Sequence, residues 1–134
     1  MLKNMEPLFV QYHTNIIING HDHAYMRTKP MIGTSNTIEE KNGIVHFTLG
    51  AGGNQEGHPH GYVHDEPEEW VAKRDREEFG FGHLFVANAT HAQFNWVRDG
   101  TTEDGVQDSV WIENHWATSE EEERSSSLAS YSSS

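Results

Sequence analysis

The chain contains no cysteine. A disulfide framework, a thiolate zinc site and a cysteine nucleophile are therefore all excluded. Basic residues are scarce: nine Lys and Arg stand against 21 Asp and Glu, giving a formal net charge of −12. No basic run occurs, and contacts to nucleic acid or anionic lipid need Lys or Arg at each phosphate. No nucleic acid partner is expected. Long apolar runs are missing as well. The longest falls far below the ~18 residues of a membrane span, so no membrane partner is expected either. The first residues, MLKNMEPLFVQYH, are amphipathic and charged and do not read as a signal peptide. Hydrophobic residues make up only 34% of the chain, against a usual ~45–50% on a count that includes Gly.

Histidine and glycine are plentiful, at ten and 12 of the 134 residues. The length fits one small domain. Leu2, Met5, Leu8, Phe9 and Tyr12 are spaced as one face of a helix. Pro7 falls inside that pattern, and proline is easiest in a first turn, so the helix is expected to start near Glu6. Residues 15–19, NIIIN, read as a short strand buried on both faces, since the apolar run is continuous. A helix followed directly by a buried strand is an α/β signature.

KPMIG is a weaker strand, and GIVHFTLG, residues 43–50, a strong one. AGGNQEGHPHGY is a glycine-rich loop, and residues 65–78 form a short helix or a charged excursion. FGHLFVAN and HAQFNWVRD predict a β-hairpin turning near Ala89-Thr90, with Phe85, Phe94 and Trp96 as packing residues. GTTEDGVQ is a loop and DSVWIEN a last strand. From Ala117 the chain is acidic and serine-rich, with little to bury, and is expected to be disordered. The division is thus 1–116 for the folded part and 117–134 for the tail.

The chemistry concentrates in IIINGHDHAYMRT, residues 16–28. Neutral imidazole is a common metal ligand. In an extended segment residues i and i+2 point the same way, so His21 and His23 aim at one volume while Asp22 points away. That volume lies past the carboxyl end of a buried strand, where open α/β sheets gather ligands. Spacing alone does not separate this reading from two ordinary surface histidines. His58, His60 and His64 read as a solvated loop, and His46, His83 and His91 as structural strand residues. Gly50-Ala-Gly-Gly-Asn lacks the Gly-Lys-Ser/Thr of a phosphate loop and reads as a tight turn. Asn88-Ala-Thr90 is a glycosylation sequon at the predicted hairpin turn.

NGHDHAYMRT resembles the last metal-binding block of the purple acid phosphatases, Gly-His-x-His-Ala-Tyr-Glu-Arg. MEPLFVQYHTNIIINGHDHAY, GIVHFTLGAGGNQEG and FGFGHLFVANATHAQFNWVRDG are similar, in order, to the helix and strand before it, the strand and glycine turn after it, and a hairpin near the end of that catalytic domain. The resemblance covers roughly residues 5 to 114. It implies the C-terminal part of a metallophosphoesterase α/β sandwich: one N-terminal helix, then mainly strands. It also implies hydrolysis of phosphate monoesters at a centre pairing a ferric ion with zinc, manganese or iron. By position, His21 matches the ligand of the divalent ion and His23 that of the ferric ion. Met26 stands where the family usually has Glu, which removes a supporting carboxylate.

The family's other ligand blocks are absent: no Gly-Asp dipeptide occurs, and Asn114-His115 is not preceded by Gly. The metal site carried here is incomplete, and no catalytic residue is assigned. The implied partners are a phosphate monoester and the missing N-terminal part of the domain. The family is commonly secreted and glycosylated, which makes Asn88 a candidate acceptor, though the sequence itself fixes no compartment. Two other readings compete: a non-catalytic remnant of the fold, and a histidine-rich metal-binding protein.

Overall fold

The computed structural model describes residues 2–33, 36–58, 61–62, 64–100 and 105–117. The expected disordered tail lies outside the described residues from position 118 onward. Among the described residues one helix, α1 (Leu2–Gln11), precedes nine strands: β1 (Ile16–Asn19), β2 (Tyr25–Thr28), β3 (Met31–Ile32), β4 (Thr37–Ile38), β5 (Val45–Leu49), β6 (Val71–Asp75), β7 (Gly80–Val86), β8 (His91–Arg98) and β9 (Val106–Glu113).

The helix begins at Leu2 and not near Glu6, with Pro7 inside it. Pro7 lacks an N–H and so forfeits one backbone bond, but the ladder resumes, as Tyr12 N donating to Leu8 O at 2.9 Å shows. The helix ends with His13 in the left-handed region, at φ 54°. Thr14 N donates to Phe9 O and His13 N to Val10 O, a Schellman-type stop. Its apolar stripe is not turned inward: Met5, Leu8 and Tyr12 are exposed, whereas Glu6 is buried.

Strands β1, β5, β2 and β6 form one mixed sheet in that order. β1 runs parallel to β5, and the other two pairings are antiparallel. β1 was expected to be buried on both faces. It stands instead at the sheet's edge, and Ile18 is 51% exposed. Residues 71–75, placed in a helix or excursion by their charge, pair with β2 as strand β6. Their alternation of Val71, Lys73 and Asp75 with Ala72 and Arg74 satisfies a strand whose two faces meet different surroundings. β3 and β4 form a small two-stranded ribbon.

Strands β7, β8 and β9 make a three-stranded antiparallel sheet. The predicted hairpin is there, with Ala87 and Asn88 N–H groups donating to His91 O at its turn. β9 starts at Val106, inside the stretch expected to be loop. The two larger sheets face each other across a core of Tyr25, Val45, Phe47, Ala51, Phe94, Trp96 and Ile112. Phe94 and Trp96 pack as expected, while Phe85 lies on the opposite face of its strand and is exposed. The Tyr25 ring stacks on Trp96 with centroids 4.5 Å apart and planes 4° apart, a tight offset aromatic contact.

Candidate active-site groove

β1 delivers the chain to Gly20, and the histidine block then turns sharply. His21 has φ 83°, and Ala24 N donates to Asp22 O at 2.8 Å, closing a three-residue turn over His23. The segment is therefore not extended, and the argument from alternating side chains does not apply. His21 and His23 nevertheless line the same groove, of about 650 Å³, with Asp22 between them along its edge. Thr48, Met26 and the loop residues Glu56, His58 and Tyr62 complete much of its wall.

Gly50, directly after β5, holds this turn in place. A Cβ there would come within 2.7 Å of the Asp22 carbonyl carbon and still closer to its oxygen. Gly50 N also donates to Ala24 O at 3.2 Å. Only glycine lets the two backbones approach so closely. The glycine after the strand is thus a packing device for the histidine turn, consistent with a tight turn and not with a phosphate loop.

Tyr25, the next residue of the block after Ala24, is fully buried, and its hydroxyl donates to Asp108 Oδ2 at 2.6 Å. Burial and the neighbouring carboxylate push the phenol well above its ordinary range. Arg27, two residues on and on the same face of β2, donates to both Asp108 oxygens. The front of the block faces the groove, and its continuation anchors the sheet beneath it.

The loop wall has its own contacts. His58 Nδ1 lies 3.2 Å from the His23 carbonyl oxygen. That oxygen only accepts, so the bond selects the tautomer with the proton on Nδ1. The His58 ring also packs on Phe79, centroids 4.3 Å apart. His23 Nδ1 and Glu56 Oε2 are 3.7 Å apart, with Glu56 well exposed. Such an exposed pair contributes little to stability. His64 is exposed, and His60 lies outside the described residues. His46, His83 and His91 all sit in strands. Burial lowers the pKa of His46, against the opposing pull of Glu6.

Among the described residues, no group of three or more His, Cys, Asp or Glu side chains is arranged to hold a metal ion. Imidazoles suit zinc and iron, but two of them do not complete a binuclear centre. Sequence reasoning missed Tyr62, Glu56 and Thr48 as groove residues. Nothing in their local pattern marks them, because the groove forms only when the loop after β5 folds back over β2.

Asn88 is exposed at the β7–β8 turn. Its Oδ1 accepts from Thr90 N at 2.9 Å, Thr90 Oγ1 at 2.8 Å and His91 N at 2.8 Å.

Two facing sheets with a histidine turn at the sheet's carboxyl edge define part of a metallophosphoesterase sandwich. In fold, the chain superimposes on a purple acid phosphatase, PPD1, from yellow lupin seeds with a TM-score of 0.66 at 24% identity, covering 87% of this chain and 21% of that one. A family profile described as iron/zinc purple acid phosphatase-like protein C matches residues 43–109. Among related sequences, purple acid phosphatase 18 of Arabidopsis thaliana is 39% identical over 112 residues, 84% of this chain and 24% of the relative. The Fe(3+)-Zn(2+) purple acid phosphatase 12 of Arabidopsis thaliana is 32% identical over 119 residues, 83% of this chain and 25% of the relative. The chain belongs to the purple acid phosphatase family and corresponds to the C-terminal portion of its members. It spans about a quarter of the length of these two relatives.

Proposed function

We propose that this chain supplies the last ligand block and the C-terminal sheets of a purple acid phosphatase centre that hydrolyses phosphate monoesters. His21 would bind the divalent ion and His23 the ferric ion. The observation that carries this reading is that both histidines line one groove, in a chain of this family. When bound, the metal pair would activate water and stabilise charge on the phosphoryl oxygens. The chain's own contribution is to orient two imidazoles, through Gly50 against the Asp22 carbonyl and through the buried Tyr25.

The remaining ligands would come from an upstream polypeptide, the N-terminal part of the domain. An Ile-Ile-Ile strand is the pattern of a sheet interior, yet β1 stands at an edge. Tyr12 and Val86 are 74% and 66% exposed, again as if awaiting a cover. In this reading the chain alone does not turn over substrate. Asn88 would be a glycan acceptor whenever the protein enters a secretory pathway. Its amide oxygen is engaged by Thr90 and its position is exposed, which suits access to the Nδ2 nitrogen.

The testing experiment joins this chain to the upstream part of a relative and measures metal loading by elemental analysis. The proposal expects about two metal ions per chain, falling on His21→Ala and His23→Ala. Full loading in both variants would refute the ligand assignment.

A further inference from the structure

The groove has two walls. One is the histidine turn, fixed by Gly50 and Tyr25. The other is the loop after β5, which carries His58 and Tyr62. One strand residue makes several of the contacts that hold that second wall down. Arg74 stands on β6 opposite Met26 of β2. Paired residues of antiparallel strands project to the same face, and Met26 lines the groove. Arg74 therefore rises on the groove side of the sheet.

From there it makes three contacts to the loop. Nη1 donates to His64 O at 3.1 Å, and Nη2 donates to Asp65 O. The guanidinium lies over the Tyr62 ring, 3.8 Å from its centroid. Arg76 covers the same ring at 4.2 Å. The planar fork of arginine can donate to two carbonyls and stack on an aromatic face at once, which lysine cannot do. Gly61, before Tyr62, has φ 78°, so the chain reverses where the ring is delivered to the cations.

We infer that Arg74 is a positioning residue for the groove: it latches the loop through the His64 and Asp65 carbonyls and the Tyr62 ring, and so sets the wall facing His21 and His23. This rests on the reading of the groove as the phosphoester site. It adds that the wall's position is controlled from β6, a strand that carries no groove ligand. Release of the latch frees Tyr62 first. It then disturbs His58, whose Nδ1–H bond to the His23 carbonyl joins the two walls.

The test is amide hydrogen exchange by NMR on the full chain. Arg74→Ala is expected to speed exchange at Tyr62, His64 and Asp65 about tenfold or more, as a local opening. Phe94 and Trp96 amides in β8 keep their parent rates. The ring signals of His58 and His23 shift, which a merely stabilising arginine would not cause. Arg74→Lys restores part of the protection but not the Tyr62 ring position. Loop exchange within twofold of the parent in Arg74→Ala overturns the latch. Should that variant unfold, β8 exchanges equally fast, and Tyr62→Leu decides. It leaves Arg74 in place, and the latch expects faster exchange at His64 and Asp65, whereas unchanged rates overturn it. The ligand assignment is read by metal loading of His21→Ala and His23→Ala, so its failure is distinguished from failure of the latch.

Discussion

Arg27 on β2 grips Asp108 on β9 through two hydrogen bonds, Nε to Oδ2 at 2.7 Å and Nη2 to Oδ1 at 2.9 Å. The two sheets are clasped a second time in the opposite sense. Arg98 of β8 donates to both oxygens of Asp75 on β6, at 2.6 and 2.9 Å, and Trp96 Nε1 adds a third donor at 3.3 Å. Each sheet thus gives one arginine and receives one. Paired, largely buried charges of this kind fix the relation of two packed surfaces, whereas stripping one partner strands the other. Asp108→Asn is expected to cost about 2–4 kcal/mol in urea unfolding, since breaking a buried pair costs roughly 3–5 kcal/mol and this one is slightly exposed. Tyr25→Phe, which leaves the Arg27 pair intact, should cost only about 1–2 kcal/mol. Equal costs would mean the clasp is not the stabilising element.

Acid should unfold the chain in two stages. Burial opposes ionisation of Asp75 and Asp108 and is the largest single influence, but the donors and charges around them together outweigh it: Arg98, Glu77 N and Trp96 at Asp75, and Arg27, Tyr25 and Lys73 at Asp108, hold both carboxyls below their ordinary range. Burial holds His46 below its ordinary value too. All three groups favour the deprotonated form when folded. Their contribution is complete above the unfolded values, ~6.5 for His and ~3.9 for Asp, and fades as pH falls through the lower folded ones. The urea midpoint should decline gently from about pH 6.5 downward and steeply below about pH 4. His46→Gln removes the first decline. A midpoint that rises on acidification contradicts the assignment.

Gly50→Ala should damage the histidine turn in particular. The added methyl meets the Asp22 carbonyl, a backbone group with no easy retreat. A cost of about 1–3 kcal/mol is expected, as for other overpacked sites. Chemical shifts of His21 and His23 should move more than those of Phe94. Unmoved histidine signals would show that the turn is held by something else.

β1 should gain protection when the upstream part of a relative is supplied. Its free edge and the exposed Ile18 leave it poorly covered here. Amide exchange of residues 16–19 is expected to slow by at least about tenfold, a 1.4 kcal/mol change in opening. Unchanged rates would mean that the strand stays at an edge in the complete assembly.

Much of this was legible in the chain. The hairpin and β5 announced themselves by β-branched and aromatic runs, and the buried Phe94 and Trp96 by their alternation. The histidine block was found by its neighbours, Gly20 before and Ala24-Tyr25 after. What the sequence hid was long-range. Residues 71–75 look like a charged surface because Lys73 and Arg74 dominate the pattern, yet they pair with the distant strand β2, and Asp75 finds Arg98, 23 residues away. The apolar stripe of α1 and the Ile run of β1 read as buried because their composition is that of buried elements. Their exposure here reflects what stands beside them and not their own preferences. The turn at His21 was read as extended because no local signal marks a left-handed histidine. Its conformation follows from contact with Gly50, which lies on another strand's end.

The central claim is that His21 and His23 work as ligands only when joined to the rest of a phosphatase domain. The most direct measurement is phosphate release from p-nitrophenyl phosphate at about pH 5 with added Fe³⁺ and Zn²⁺, by this chain alone and joined to the upstream part of a relative. The account predicts background rates for the chain alone. It predicts turnover for the joined protein that His21→Ala, His23→Ala abolishes. Metal-dependent turnover by the chain alone, or turnover of the joined protein that survives the double substitution, would contradict it.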